Sequence, residues 1–543
     1  MTSTDPLPKP TKPASPPPGP VGGVRHRGRG LAHWPVRFAL GLLALAVLAL
    51  PFHAADRYYL YQKYMSPQVK LSDMSLSPNA PARWSRAGRQ LPATAAPVVL
   101  AYHDIGPQPG PFVVTPRAFD EQLTALQAAG YHSLTTNEFI GYLKGGPVPP
   151  RSVYLTFDDG RGGLWVYGDR ILARHHMHGA VFLITGRVDH DRPHNLSWNE
   201  IKRMAHSGRW DFQDHTHDLH RRAPIDAAGH KASALSHRLW LPDRNRLETP
   251  AQYRSRITAD IGRSVDDITA HGLPAPRLFA FPFTEATERA GIPGETLKDL
   301  LSTYFTATLT DVSARPLTAS RRAAAAHQVQ RLEVTGSTTP EQLLSRIAPW
   351  VQVAPAANLL DRPDLWTRHD GTRQSGLGPF VGAGPFPARA RHVAADYRRT
   401  SSLDWTDYQL DATVQGLGDG TNQASITVRN DSLDPVTVTV SRGYLTLAHG
   451  GRKVATRPLA PASSHTVHVT LSGATTTVQV DNATSVSWTS HGSGGDLTGG
   501  VGIRTGIKQA KAPWPSFTAL RVSCKAPQRD AHPASDNRQT KRV

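Results

Sequence analysis

Two carboxylates stand side by side at the end of an apolar run, Val153-Tyr154-Leu155-Thr156-Phe157-Asp158-Asp159-Gly160. Val153, Leu155 and Phe157 alternate with Tyr154 and Thr156, the pattern of a short strand. Neighbouring strand residues point to opposite faces, so Asp158 and Asp159 serve different groups once the strand ends, and Gly160 permits a sharp turn there. Adjacent carboxylates in an apolar setting need positive charge beside them. The chain supplies a source in Asp214-His215-Thr216-His217-Asp218-Leu219-His220. One carboxylate with two imidazoles can hold a divalent ion and leave positions open for water, which frees the other aspartate to act as a base. Alone, an Asp-Asp-Gly is most often a turn and a histidine-rich stretch a solvated loop. Together, with a strand before the first, they are far more specific.

Thr156-Phe157-Asp158-Asp159-Gly160 followed by His215-Thr216 and His220 resembles the polysaccharide deacetylases, also called NodB-homology or carbohydrate esterase family 4 proteins. The second histidine lies five residues after the first, with Leu219 at the more usual place. That spacing resembles the branch acting on poly-β-1,6-N-acetylglucosamine. Val98-Val99-Leu100-Ala101-Tyr102-His103-Asp104 and Phe112-Val113-Val114-Thr115-Pro116, with Phe119 after it, are similar to the same branch. The resemblance covers roughly residues 97–350.

It implies a divalent ion on Asp159, His215 and His220, zinc foremost and cobalt, nickel or iron as alternatives. It implies Asp158 as the general base, hydrolysis of an N-acetyl group, and an oxyanion-stabilising amide at Phe283 within Phe281-Pro282-Phe283-Thr284. Pro282, His103 and Asp104 are expected to line the pocket. Thr284 stands where the family pattern has glycine, which puts the turn geometry at issue. No late Leu-His motif supplies a general acid; His327 is the nearest histidine and is not favoured. Arg277 lies five residues before Pro282, out of register with the usual arginine. His217 and Asp218 read as loop, with Asp218 a candidate to orient a ligand histidine. His175, His176 and His178 read as a solvated helix surface.

The implied substrate is a cell-surface or extracellular N-acetylglucosamine polymer, with a polysaccharide synthase as a candidate partner. A peptidoglycan or chitin-type deacetylase, or a non-catalytic glycan-binding surface protein, are the alternatives.

The elements that must position these residues follow from the rest of the pattern. Strands at 98–102, 153–157, 180–185, 210–213 and 278–282 alternate with helices at 116–130, 199–207 and 258–271. That alternation predicts an α/β domain with a parallel sheet, and the resemblance makes it an irregular (β/α) barrel over 97–352. In such barrels the site sits at the C-terminal ends of the strands, where these motifs fall. Residues 221–257 read as an insertion near the mouth. Beyond 353 alternating segments such as 408–414, 424–428, 436–440 and 476–480 predict an all-β sandwich to about 525, similar to concanavalin-like or laminin-G-like modules and a candidate carbohydrate binder. Residues 526–543 read as a disordered tail.

At the other end, residues 1–35 are rich in proline, then arginine, and are expected to be disordered. An apolar run over 36–55 behind that basic flank predicts a signal-anchor helix spanning the cell membrane, the catalytic part outside; secretion after signal cleavage is the alternative. Residues 56–96 read as a stalk or linker. The chain has 543 residues, one cysteine and a formal net charge of +18. One cysteine excludes an intrachain disulfide. The basic residues are scattered and no nucleic-acid motif accompanies them, so a generic basic surface is expected rather than a nucleic-acid partner.

Overall fold

The computed structural model describes residues 34–65, 79–91, 96–285, 296–313, 316–355, 357–369, 376–386, 391–398, 400–418, 422–492, 497–508 and 512–524. Of the terminal segments expected to be disordered, 1–35 and 526–543, residues 1–33 and 526–543 lie outside them, and Trp34 and Pro35 already belong to the first helix. The helices are α1 (Trp34–Met65), α2 (Ala80–Gln90), α3 (Pro116–Ala128), α4 (Thr136–Leu143), α5 (Asp169–His175), α6 (Trp198–His206), α7 (Pro250–Ala270), α8 (Leu297–Ser302), α9 (Arg321–Ala325) and α10 (Pro340–Ile347). Within α1, Arg37–Tyr58 is 22 residues long and apolar enough to cross a membrane.

Eight parallel strands make the path of the nine-stranded main sheet, β1 (Val98–Tyr102), β2 (Ser152–Phe157), β3 (Gly179–Leu183), β4 (Trp210–Asp214), β5 (Leu278–Ala280), β6 (Ala307–Thr310), β7 (Gln328–Gln330) and β8 (Leu332–Glu333), with the short strand His132–Ser133 paired beside Ser152 and Val153 off that path. Their order is β7-β6-β5-β4-β3-β2-β1-β8. The two edges are consecutive in the chain: Gln330 pairs with Thr310 on one side and Leu332 with Leu100 on the other. A single residue, Arg331, therefore crosses the seam of a nearly closed barrel.

Period-two alternation sorts the strand residues into two cores. Val98, Leu100, Val153, Leu155, Phe157 and Val181 pack outward against α3, α5, α6 and α10. Val99, Tyr154, Ala180, Phe182, Leu278 and Leu309 pack on the other face, with Phe139 and Ile140 of α4. The helices start where the sequence supplies caps. Thr115 accepts from Ala118 N at the head of α3, and Thr135, Ser197, Thr249 and Thr339 form reciprocal caps with the residue three on.

The stalk reading of 56–96 is corrected in two places. Helix α1 continues to Met65, and 80–90 is not linker but α2, docked on the barrel. Trp84 is buried, and its Nε1–H donates to Glu341 Oε1 at 2.9 Å. Gly88 is pressed on Ala129: a Cβ there would lie 2.3 Å from its Cα. Three buried positions, Ala80, Trp84 and Gly88, only one of them a large apolar side chain, make a weak periodic signal on an Arg- and Ala-rich segment. The insertion at 221–257 is built of two hairpins, Arg222–Pro224 with Lys231–Ser233 and Trp240–Leu241 with Arg246–Leu247, before α7 begins at Pro250. Leu219, Ala223, Leu235 and Leu239 join Tyr253, Ile257 and Phe281 in a core of their own.

The C-terminal region holds two antiparallel sheets. One runs β9 (Ala357–Asn358), β21 (Ser516–Cys524), β12 (Tyr408–Gln415), β17 (Ser464–Ser472), β18 (Thr475–Val480), β19 (Thr484–Thr489). The other runs β10 (Trp366–Arg368), β11 (His392–Tyr397), β20 (Gly500–Gly506), β13 (Gln423–Asn430), β14 (Val436–Ser441), β15 (Tyr444–His449), β16 (Arg452–Pro458). Alternate residues of both, among them Leu410, Val467, Val438 and Ile503, share one core. This module is docked on the barrel rather than merely joined to it. Arg322 of α9 donates to the carbonyls of Asn430 and Thr498, Asp404 accepts from Arg321 N at 2.7 Å, and Gln352 Nε2 donates to Thr400 O at 2.8 Å.

Candidate active site

Strand β2 stops at Phe157, and the next three residues make the site. Asp158 N still bonds Tyr102 O at 3.0 Å, but Asp159 (φ 72°) and Gly160 (φ 68°) are both left-handed. That turn throws the two carboxylates apart, as expected at a strand end. Asp159 goes to the histidines. Its Oδ1 lies 3.7 Å from His215 Nε2 and 3.4 Å from His220 Nε2, and the three ligand atoms fall within 4.8 Å of one another.

Three observations test whether these groups fit a divalent ion. Asp159 Oδ1 is buried with no hydrogen-bond partner among the described residues. His215 Nδ1 faces Ala280 O at 2.8 Å, so Nδ1 carries the proton and Nε2 presents a lone pair. His220 is kept neutral: burial foremost, then His215 beside it, pushes its pKa down to about 4. An orphaned carboxylate oxygen and two imidazole lone pairs converging on one point are the donor set a zinc-like ion takes.

Asp158 goes the other way, into the barrel. Arg331 holds it with two parallel bonds, Nη1 to Oδ1 at 2.8 Å and Nη2 to Oδ2 at 2.7 Å. Arg331 is fully buried, and Asp311, the residue after β6, takes Nε–H at 2.8 Å while Thr156 Oγ1 accepts from Nη1 at 3.2 Å. Burial pushes the Asp158 pKa up, but Arg331 and then His215 more than offset it, so the carboxyl is held well below the usual carboxylate range.

Helix α7 grips the histidine loop from outside. Asp260 accepts from His217 N at 2.9 Å and Asp218 N at 2.8 Å, and Asp267, about two turns further along the same face, accepts from His217 Nδ1 at 2.8 Å. His217 is thus a tie to α7 and lies outside the ligand cluster. Asp218 does not orient a ligand; it pairs with Arg221 at 3.3 Å on the surface. Thr216 (φ 78°) shows that the loop is held in a costly conformation.

The remaining expected residues divide. His103 follows β1, its Nδ1 is buried and unpartnered among the described residues, and it is an electrostatic neighbour of both Asp158 and Asp159. Asp104 turns away to brace the backbone: it accepts from Ile105 N at 2.8 Å and packs on Gly163, and burial pushes its pKa up to about 7 against the pull of Arg161. Pro282, Phe283 and Thr284 form one tight turn after β5 in which Phe283 (φ 58°) and Thr284 (φ 57°) are left-handed. The turn thus forms without glycine, with strain at a β-branched residue. The Phe283 ring lies 4.6 Å from the His220 ring, with Arg222 4.5 Å over its other side. Arg277 is remote from the carboxylates, donating to Asn137 Oδ1 at 3.3 Å. His327 is tied to Thr306 O at 3.1 Å. The solvated reading of His175 is corrected. It is buried between Asp120 at 2.8 Å and Gln127 at 2.6 Å, because α5 turns this face onto α3. His178 bonds Arg209 O at 3.0 Å.

The sequence reading missed Arg331, Asp311, Asp260 and Arg161, whose Nε lies 3.4 Å from Asp159 Oδ2. The one signal for Arg331 was a charge inside the strand-like run Gln328-Val329-Gln330-Arg331-Leu332.

Residues 145–295, which hold both motifs, match the family model for polysaccharide deacetylases. This segment resembles that family. Poly-β-1,6-N-acetyl-D-glucosamine N-deacetylase of Staphylococcus aureus (strain MSSA476) is 28% identical over 175 residues, 32% of this chain and 54% of the relative. The protein of the same name from Staphylococcus epidermidis (strain ATCC 35984) is 37% identical over 112 residues, 20% of this chain and 39% of the relative. The chain thus spans about half the length, or less, of these relatives. A solved de-N-acetylase from Aggregatibacter actinomycetemcomitans is 19% identical, covers 46% of this chain and 98% of its own, and superposes with a TM-score of 0.40.

Proposed function

We propose that the chain is a metal-dependent hydrolase that removes N-acetyl groups from an N-acetylglucosamine polymer, poly-β-1,6-N-acetylglucosamine before β-1,4-linked chitin or peptidoglycan. The observation that carries this reading is the division of labour at the end of β2: Asp159 converges with His215 and His220, while Asp158 is set apart on Arg331. The names of the polysaccharide deacetylase relatives support the substrate.

Asp159, His215 and His220 would hold a divalent cation, which when bound would supply Lewis acidity for the acetyl carbonyl and acidify water. Asp158 accepts the proton of the attacking water as its oxygen bonds to the acetyl carbon. Arg331 keeps Asp158 ionised, so it is a weak base that takes a proton only from an acidified donor. The same low pKa makes protonated Asp158 a ready donor to the departing nitrogen when the C–N bond breaks. Acetate and a free amine leave, and no separate general acid is required. Phe283 walls the site beside His220, and its backbone amide is the proposed donor to the oxyanion.

We place the protein in the cell membrane through α1, the barrel and the module outside, where it meets polymer delivered by a synthase. A topology reporter fused after residue 90 that works only in the cytoplasm would refute this placement. The function is tested by acetate release from β-1,6- and β-1,4-linked N-acetylglucosamine polymers. Release from the β-1,6 polymer, abolished by chelator and restored by divalent metal, is expected. Release unaffected by thorough metal removal, or confined to β-1,4 polymers, overturns it.

A further inference from the structure

We infer that Phe112 is an aromatic platform on which a sugar residue of the polymer stacks, next to the one being deacetylated; this rests on the proposed function. A singly exposed apolar side chain needs no explanation by itself. Phe112 differs from such cases in how it is held and in what it adjoins. It is 54% exposed, against 38% for Tyr304, the other exposed large aromatic of the barrel among the described residues.

Its backbone is fixed. Phe112 O accepts from Asp104 N at 3.0 Å, and Gly110 and Val113 exchange bonds of 3.0 and 3.3 Å around it. Gly336 closes on this turn from behind. Its N–H donates to Gly110 O at 3.0 Å, and a Cβ there would fall 2.3 Å from Val113 O. The side chain is fixed too, its ring 4.7 Å from the His103 ring at an interplanar angle of 49°. His103 follows the C-terminal end of β1 and acts electrostatically on both Asp158 and Asp159. A half-exposed ring therefore stands at the mouth of the site, braced from behind and from one side.

The ligand chemistry follows. A pyranose presents a face of C–H groups, and the negative face of an aromatic ring attracts such weakly positive groups while covering apolar area. A ring already immobilised loses little freedom on stacking. A polymer of N-acetylhexosamine offers the same face at every residue, so the platform favours chains over single sugars.

Full-length wild type, Phe112→Ala and Phe112→Trp are compared on the monosaccharide N-acetylglucosamine and a longer β-1,6-linked oligosaccharide, with bound metal and melting temperature as controls for folding. Phe112→Ala is expected to raise KM for the longer oligosaccharide about tenfold. Its kcat should stay within about twofold, the monosaccharide should show a much smaller change in KM, and Phe112→Trp should restore KM. An unchanged KM for the longer oligosaccharide, or one that Trp fails to restore, overturns the inference. If wild type releases no acetate from any substrate, the proposed function fails instead. Equilibrium binding of the longer oligosaccharide then decides on Phe112, and a Kd unaffected by Phe112→Ala overturns the platform.

Discussion

Arg331 in the barrel and Arg429 in the C-terminal module are both fully buried, and the two regions treat that charge in opposite ways. Arg331 directs its guanidinium onto Asp158, Asp311 and Thr156. Burial would push its pKa down, but the two carboxylates more than offset that and raise it. Arg429 makes one side-chain bond, Nη2 to Gly473 O at 2.8 Å, and its Nε and Nη1 have no partner among the described residues. Burial lowers its pKa, only partly opposed by Asp434. A buried cation matched at every donor fixes the geometry of what it touches; one matched at a single donor mainly fills space.

The sharpest way to break this contrast is Arg331→Met. Turnover should fall by about 10²–10⁴-fold, the usual worth of a positioned base, and stability by about 3–5 kcal/mol, because Asp158 and Asp311 are left buried and unpaired. Bound metal per chain should not change. Near-normal kcat in a folded variant would mean that Asp158 needs no tether.

Next comes Asp260→Asn, which tests whether pairing on α7 matters to the histidine loop. An amide offers one acceptor to the two N–H groups of His217 and Asp218. Metal affinity should weaken about 10–100-fold in a chelator competition assay, with the helix content unchanged. Unchanged affinity would reduce α7 to packing.

Backbone strain gives a smaller effect. Left-handed residues other than glycine occur in both regions, Arg429 and Asp481 in the module and Asp159 and Asn245 in the barrel, but among the described residues only the barrel places β-branched side chains there, Thr216 and Thr284. Thr284→Gly should raise stability by roughly 1 kcal/mol in denaturant unfolding; a loss would show that the threonine side chain earns its place.

The smallest effect is expected for Arg429→Leu. Stability should stay within about 1 kcal/mol of wild type, since the lost bond is offset by relief of desolvation. A drop as large as that of Arg331→Met would end the distinction between the two arginines.

The same contrast explains what the sequence revealed. Asp158, Asp159, His215 and His220 were legible because each pair lies within one short motif, and the strand before the first is marked by alternation. The left-handed turn that separates the carboxylates was signalled by Gly160. Arg331 was not legible: it lies 173 residues from Asp158, and only closure of the sheet brings it back. Asp260 and Asp267 sit on a helix whose pattern gives its buried face but not which loop its polar face will meet. Helix α2 was hidden for a related reason, since its burial depends on Trp84 finding Glu341, 257 residues on. Local chemistry was readable, whereas partnerships made by the fold were not.

The seam of the barrel has one more consequence. The strands that meet there are short, Gln328–Gln330 and Leu332–Glu333, and short edges open more readily than longer central strands such as β2 and β3. Since the residue joining them is also the one that aims Asp158, a transient parting of the two edges idles the base while the rest of the molecule stays folded. Heat or denaturant should therefore silence the protein through a local breathing motion before it unfolds, and amide exchange at the seam is the clock by which that silence can be timed.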